Sequence, residues 1–382
     1  MNDTNVLGAA IIGTGFIGVI HCRALRQIGV KIVGVLGSSQ ARSIEAAAEF
    51  GVSRAYSDIE ELVADCNVDV VHVTSPNHAH FGQVKTILEA GKHVVCEKPL
   101  APNAAQTQEL VALGKTCGKI CAVCYNLRFY PLNQHAHQMV REGEVGEIRM
   151  ITGHYHQDWL AKPTDWNWRL EVEKGGVLRS VADIGTHWID LVEFISGEKV
   201  ISVFADLATF VKTRQKPKGR APSFANTDSG KTEPHTITTD DAAMIMLRFS
   251  DGAKGVMSTS QISIGRKNSV KWDIVGSKVS AAWDSESPDH LFIGQRDAPN
   301  QILQRDPGLM NKMGAATAEL PGGHVEGFGD TFAAMFKQIY NDVNKNSRSD
   351  DATYASFSDG HDAVVFCEAV TKSAHQSQWV DL

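Results

Sequence analysis

The sequence predicts an α/β protein of two domains. Residues 1–125 read as a doubly wound parallel sheet of the Rossmann type, and residues 126–382 as an α+β domain built on a large, open, mostly antiparallel sheet. Three observations carry this. Strand-like and helix-like segments alternate through the first 125 residues, and a glycine-rich string, Gly13-Thr14-Gly15-Phe16-Ile17-Gly18, falls at the first strand-to-helix junction. From about residue 145, strand-like runs follow one another through short loops instead of helices. With 382 residues, 43% of them hydrophobic, the chain can fill more than one core.

In the first domain, residues 6–12 form a small apolar run of strand type, and 16–28 carry Ile17, Ile20, Leu25 and Ile28 at helical spacing. A strand follows over 31–36, a helix over 40–50 that Gly51 stops, and a strand over 68–73. Residues 77–90 read as a helix closed by Gly91, 92–96 as a strand, 104–117 as a helix and 120–125 as a last strand. Ligands of such sheets bind outside the carboxyl ends of the strands, here the segments 37–42, 74–80, 97–99 and 125–128.

In the second domain the strands are 148–156, 200–211, 242–249, 255–262 and 270–275. An Asp251-Gly252 turn joins alternating segments with Ile245, Leu247 and Phe249 on one face, which is a hairpin signal. Residues 184–196 form a helix whose buried stripe is Ile184, Trp188, Leu191, Val192 and Ile195, stopped by Gly197. Helices over 325–344 and 359–375 close the chain. The stretch 212–234, with Lys212, Arg214, Lys216, Lys218 and Arg220, reads as a solvated loop or an arm to a neighbouring subunit.

A net charge of −7 offers no electrostatic footprint for nucleic acid or an anionic membrane. No stretch approaches the ~20 apolar residues of a membrane span, and the first residues lack a basic and apolar leader. Seven cysteines without regular spacing suit free thiols, so a cytoplasmic location is expected. Cys117, Cys121 and Cys124 are not expected to bind metal, because a strand sends Cys121 and Cys124 to opposite sides.

The glycine string has a physical use. Gly13 permits the tight turn, Gly15 lets backbone approach a pyrophosphate, and Gly18 lets helix and strand pack closely behind a positive helix N-terminus. Phe16 and Ile17 complete the turn of a dinucleotide site. The second strand ends without the acidic residue that would hold a ribose 2′-OH; Ser38, Ser39 and Arg42 stand there instead, which leans from NAD towards NADP. Asp183 and His187 lie four residues apart on one helix face and suit acid–base work. Candidate substrate contacts are Asn126, Arg128, Tyr130, Asp165, Trp168, Arg169, His324, and His154 with His156, which share a strand face. Trp159, Trp166 and Trp168 fit either stacking on a sugar ring or ordinary packing, while His135 and His137 are expected to be solvated.

The glycine string, Thr74-Ser75-Pro76-Asn77-His78-Ala79-His80, Glu97-Lys98-Pro99 and Asp183-Ile184-Gly185-Thr186-His187 together resemble the glucose-fructose oxidoreductase / inositol dehydrogenase / rhizopine-catabolism (Gfo/Idh/MocA) family in order and spacing. The resemblance runs over nearly the whole chain. It implies NAD(P)-dependent hydride transfer at a hydroxyl-bearing carbon of a sugar or polyol. Lys98 would hydrogen-bond the reacting oxygen, and His187 would act as base with Asp183 orienting it. Ser75, Pro76, Asn77, His80 and Glu97 would then lie on the cofactor side. It also implies a homodimer or homotetramer assembled through the second domain's sheet. Two other readings use the same scaffold, a glycoside hydrolase with transient redox and a nicotinamide-binding sensor; retention of Lys98, Asp183 and His187 argues against both.

Overall fold

A computed structural model describes residues 7–218 and 232–382. In chain order the elements begin β1 (Gly8–Ile12), α1 (Phe16–Gln27), β2 (Lys31–Leu36), α2 (Gln40–Phe50), β3 (Arg54–Ala55), α3 (Ile59–Ala64), β4 (Val70–Val73), α4 (His80–Glu89), β5 (His93–Cys96), α5 (Ala104–Thr116) and β6 (Cys121–Val123). There follow α6 (Pro131–Arg141), β7 (Ile148–His156), α7 (Val172–Gly175), α8 (Thr186–Ser196), β8 (Val200–Ala208), β9 (Thr213–Pro217), β10 (Thr232–Thr236), β11 (Ala242–Phe249) and β12 (Lys254–Ser260). The remainder is β13 (Ser269–Gly276), β14 (Ser280–Asp284), β15 (His290–Gly294), β16 (Gln301–Gln304), α9 (Lys312–Thr317), α10 (Phe328–Lys345), β17 (Ala355–Ser356), α11 (Phe357–Gln376) and β18 (Val380–Asp381).

The chain forms two compact units, Met1–Asn126 with Phe328–Val364, and Leu127–Gly327 with Val365–Leu382. The division expected at residue 125 therefore lies one residue from a unit boundary, but 126–382 is not one contiguous domain. The tail returns to the first unit because α10 is strongly amphipathic: Phe332, Met335, Phe336, Ile339 and Val343 recur at helical spacing and are all buried, with α10 against α1.

In the first unit the strand order is β3-β2-β1-β4-β5-β6-β17, parallel except for β17 at the edge. The order reverses between β1 and β4, so a ligand crevice is expected at their carboxyl ends. Strands β4 and β5 are wholly buried, as parallel strands covered on both faces must be. Gly51 and Gly91 end their helices at φ 60° and 73°, where an L side chain would be strained. Helix α3 has no counterpart in the sequence reading, although Asp58 caps it by accepting the Glu61 backbone N–H at 2.8 Å.

The second unit carries a nine-stranded sheet, β16-β15-β14-β13-β7-β12-β11-β8-β18, antiparallel except where β12 runs parallel to β7. The Asp251-Gly252 hairpin joins β11 to β12, with Ile245, Leu247 and Phe249 buried. Strands β14 to β16 went unread. The basic stretch is not a loop where it is described: β9 and β10 pair antiparallel, and Arg214 is fully buried on Asp241. Arg220 and the rest of 219–231 lie outside the described residues. His135 and His137 are not solvated either. His135 is buried and accepts the Asn311 backbone N–H, and His137 stacks on Phe194 at 4.1 Å, with burial pushing its pKa down to about 4.

Candidate active site

The first unit offers a cofactor cradle at the ends of β1 and β4. Gly13 has φ 96°, and a Cβ there would stand 2.5 Å from Thr74 backbone. A Cβ on Gly18 would reach 2.3 Å from the Gly13 carbonyl, so α1 closes on the turn only with glycine at that position. At Gly15, by contrast, a Cβ would meet nothing within 4 Å, and glycine as the N-cap of α1 brings no side chain of its own. Bare backbone facing open space at a helix N-terminus is what a pyrophosphate requires. The residues present therefore fit a nicotinamide dinucleotide. Thr74 holds the turn by donating to the Ile12 and Gly13 carbonyls at 2.9 and 2.8 Å.

Arg42 stands just past the end of β2, in the first turn of α2, with its side chain engaged inside the protein. Its guanidinium turns back to Thr14, donating to the Thr14 hydroxyl and carbonyl at 2.9 Å each, and pairs with Glu45 and Glu49 at 2.8 and 2.9 Å. It braces the glycine turn with its charge already met. Ser39 caps α2 by accepting the Arg42 N–H, while Ser38 is exposed.

At the end of β5, Glu97 is buried and Lys98 half-buried, and the Lys98–Pro99 peptide is cis. His80 is fully buried, one ring nitrogen 2.7 Å from the Pro99 carbonyl and the other 2.8 Å from that of Ser75. Burial lowers its pKa against the pull of those two carbonyls. The Ser75 hydroxyl donates to Gln83, Pro76 is exposed and Asn77 half-buried.

In the second unit Asp183 lies in a π-helical turn, Val181–Gly185, that runs into α8. Such turns are frequent at functional sites. Its carboxylate is held from two sides, by Arg169 Nε at 3.0 Å and by the Gln261 amide at 2.9 Å. His187, in the first turn of α8, is half-buried with its ring 6.3 Å from that of Tyr155. Tyr155 donates to Asn268 at 2.7 Å, and burial together with Asp183 raises its pKa. Trp188 fixes α8 to the sheet by donating to the Lys271 carbonyl at 2.7 Å, across Gly153, where a Cβ would collide with the Trp188 indole nitrogen at 2.7 Å.

Several expected substrate contacts have partners within the protein. Arg128 is buried in a two-point pair with Asp190, at 2.8 and 2.5 Å, and stacks over Phe194. His156 does stack on His154 at 4.2 Å, but both lie on the strand face opposite Tyr155, with His156 against Ser258 at 2.9 Å. Asp165 closes its own loop by accepting the Lys162 N–H at 2.7 Å. Asn126 is 1% exposed and donates to Thr331 inside the first unit. Trp168 carries the Arg169 guanidinium on its ring, 4.4 Å away, and Trp166 packs with Leu160, Leu170 and Ile237. His324 is exposed, and its carbonyl accepts from Arg305. Gln261 and Tyr155 were missed; Gln261 lies 78 residues from Asp183, and no local pattern marks it.

A parallel sheet with a glycine turn at its switch point, and a second unit that carries Asp183 and His187 in successive helical turns, fit a nicotinamide-dependent oxidoreductase. The profile of the oxidoreductase family with an NAD-binding Rossmann fold matches residues 7–125, and the profile of the GFO/IDH/MocA C-terminal domain matches residues 133–282. The chain belongs to the Gfo/Idh/MocA family of oxidoreductases. It is 27% identical over 393 residues to the levoglucosan dehydrogenase of Pseudarthrobacter phenanthrenivorans, with 98% of each chain covered. It is 31% identical to the myo-inositol 2-dehydrogenase of Thermotoga maritima over 66% of this chain and 68% of that one. Among solved structures, a levoglucosan dehydrogenase complex with NADH and L-sorbose superposes with TM-score 0.87 at 26% identity, covering 98% of both chains. An inositol dehydrogenase homologue from Azotobacter vinelandii, complexed with NADH and myo-inositol, gives 0.84 at 26% identity, covering 98% of this chain and 97% of that one.

The two arginines give opposite expectations. Arg128→Ala strands buried Asp190, so a denaturant titration should show a loss of about 3–5 kcal/mol. Arg169→Ala frees one oxygen of Asp183, so kcat should fall about ten- to a hundredfold with stability little changed. A normally stable Arg128→Ala with a raised KM would restore Arg128 to the substrate.

Proposed function

We propose that this protein is an NAD-dependent dehydrogenase of a sugar or polyol hydroxyl, with Lys98, Asp183 and His187 as its working groups. The observation that carries the reading is the Asp183 carboxylate, held by Arg169 and Gln261 one helical turn before a half-buried His187. A carboxylate fixed this way orients an imidazole and stabilises its charged form. His187 would take the proton from the hydroxyl oxygen as the carbon that bears it gives up hydride and becomes a carbonyl. Lys98 donates a hydrogen bond to the reacting oxygen, holding it as charge develops. The cofactor supplies the hydride acceptor, the nicotinamide C4 atom. The cradle around Gly15 would hold the pyrophosphate, since its backbone faces open space.

The cofactor reading departs from the lean towards NADP. Arg42, engaged by Thr14, Glu45 and Glu49, would have to abandon these partners to meet a 2′-phosphate, which supports NAD. The relatives named for levoglucosan and inositol point to anhydrosugars and cyclic polyols as the first substrates to try. Among the described residues no helix is long and apolar enough to cross a membrane, and all seven cysteines are free thiols, which supports a cytoplasmic enzyme.

We also place a homo-oligomer contact on the sheet face turned away from α8, where Met150, Met244, Met246 and Val256 are exposed. Light scattering should give a dimer or tetramer that Met246→Glu dissociates. A monomeric parent protein would remove this part of the reading.

Absorbance at 340 nm with NAD or NADP and a panel of anhydrosugars, inositols and aldoses tests the function. One substrate should turn over with NAD preferred, and Lys98→Ala and His187→Ala should each lose about 100- to 10,000-fold in kcat. Full turnover in either variant would remove that residue from the mechanism.

A further inference from the structure

We propose that Glu97, His21, His72 and Tyr340 form one buried hydrogen-bond chain, ordered in a single direction, that positions the Glu97–Pro99 turn and with it Lys98. The proposal rests on the reading of Lys98 as the group that meets the substrate oxygen.

The four side chains come from four elements of the first unit: α1, β4, the end of β5 and α10. His21 Nε2 lies 3.2 Å from Glu97 Oε1, His21 Nδ1 lies 3.0 Å from His72 Nδ1, and His72 Nε2 lies 3.0 Å from the Tyr340 hydroxyl. His21 and His72 are 0% exposed, Tyr340 4% and Glu97 8%. Phe336 covers both imidazoles, at 4.9 and 4.8 Å, and Phe332 covers His21 at 5.5 Å. With such walls, a missing partner would leave a polar group unsatisfied at substantial cost.

The chemistry of the groups fixes the direction. Burial holds His72 neutral, so it carries a proton on one nitrogen only. Among the described residues the Tyr340 hydroxyl meets only His72 Nε2, so its O–H must donate there or be left without an acceptor. His72 then bears its proton on Nδ1 and donates to His21 Nδ1, and His21 bears its own on Nε2 and donates to Glu97. The reverse order would strand the Tyr340 O–H. Every donor thus points to the Glu97 carboxylate, which also accepts the Lys98 backbone N–H at 3.2 Å.

The chain ends on a buried tyrosine, so it positions and does not conduct protons to solvent. On the other side of Lys98, His80 holds the Pro99 carbonyl at 2.7 Å. Lys98 is therefore set between two anchored peptide groups, and Glu97, His21, His72 and Tyr340 are positioning residues for it. His21, Glu97 and Cys124 also bring one ligand atom each within 4.8 Å of one another, a set that zinc could use. A single proton order that satisfies every member of the chain favours the metal-free arrangement.

The test joins two measurements on the full-length protein. Ring-nitrogen NMR of histidine-labelled protein at neutral pH should show His72 as the Nδ1–H tautomer and His21 as the Nε2–H tautomer, both exchanging slowly. Tyr340→Phe, which removes a single hydroxyl, should lower kcat about tenfold or more while the NAD Kd and substrate KM stay within about twofold. The opposite tautomers, one zinc per chain by elemental analysis, or an unchanged kcat in Tyr340→Phe would each overturn the proposal. Full turnover in Lys98→Ala would overturn the role of Lys98 and not the proton order, which the spectrum decides by itself.

Discussion

A carboxylate buried one residue before Lys98 sets the terms for the first unit. Glu97 is 8% exposed at the end of a wholly buried strand, and a charge in that position must be met by donors from the protein itself. His21 meets it from α1, and His21 in turn needs His72. Tyr340 completes the chain from α10. The return of the tail to the first unit therefore does two things at once: it buries the apolar stripe of α10 and brings the Tyr340 hydroxyl to the group behind the Glu97–Pro99 turn.

The second unit solves a related problem at its surface. Asp183 is half-buried, and its two oxygens are met by Arg169 from the segment before its helix and by Gln261, 78 residues along the chain. The π turn that carries it leads into α8, and α8 is held to the sheet by Trp188 over Gly153. Packing that keeps Trp188 in place also fixes the start of the helix bearing His187. Rigid support of this kind keeps side chains on the helix in one orientation without a ligand.

What the sequence made legible was what depends on local rules. The strand–helix alternation, the glycine turn, the Asp251-Gly252 hairpin and the buried stripe of α8 are written in nearest-neighbour chemistry. The pair of Arg128 with Asp190 spans 62 residues and leaves no local pattern, whereas Arg42 meets Glu45 and Glu49 within its own helix and Thr14, 28 residues back. His154 and His156 share a strand face as their spacing implies, but period-two alternation says which residues share a face and not which face meets α8. His21 carried no signal, being one polar residue on an amphipathic helix until β4 and β5 bring His72 and Glu97 beside it. Helix α3 and strands β14 to β16 are short, and short elements leave the weakest pattern.

Direct hydride transfer from a substrate carbon is the central claim, and the mass of the reduced cofactor tests it. With NAD and a fully C-deuterated form of whichever substrate turns over, the account predicts NADH one mass unit heavier than the product of the protiated substrate. NADH formed without that deuterium, or deuterium lost to water during turnover, would contradict it.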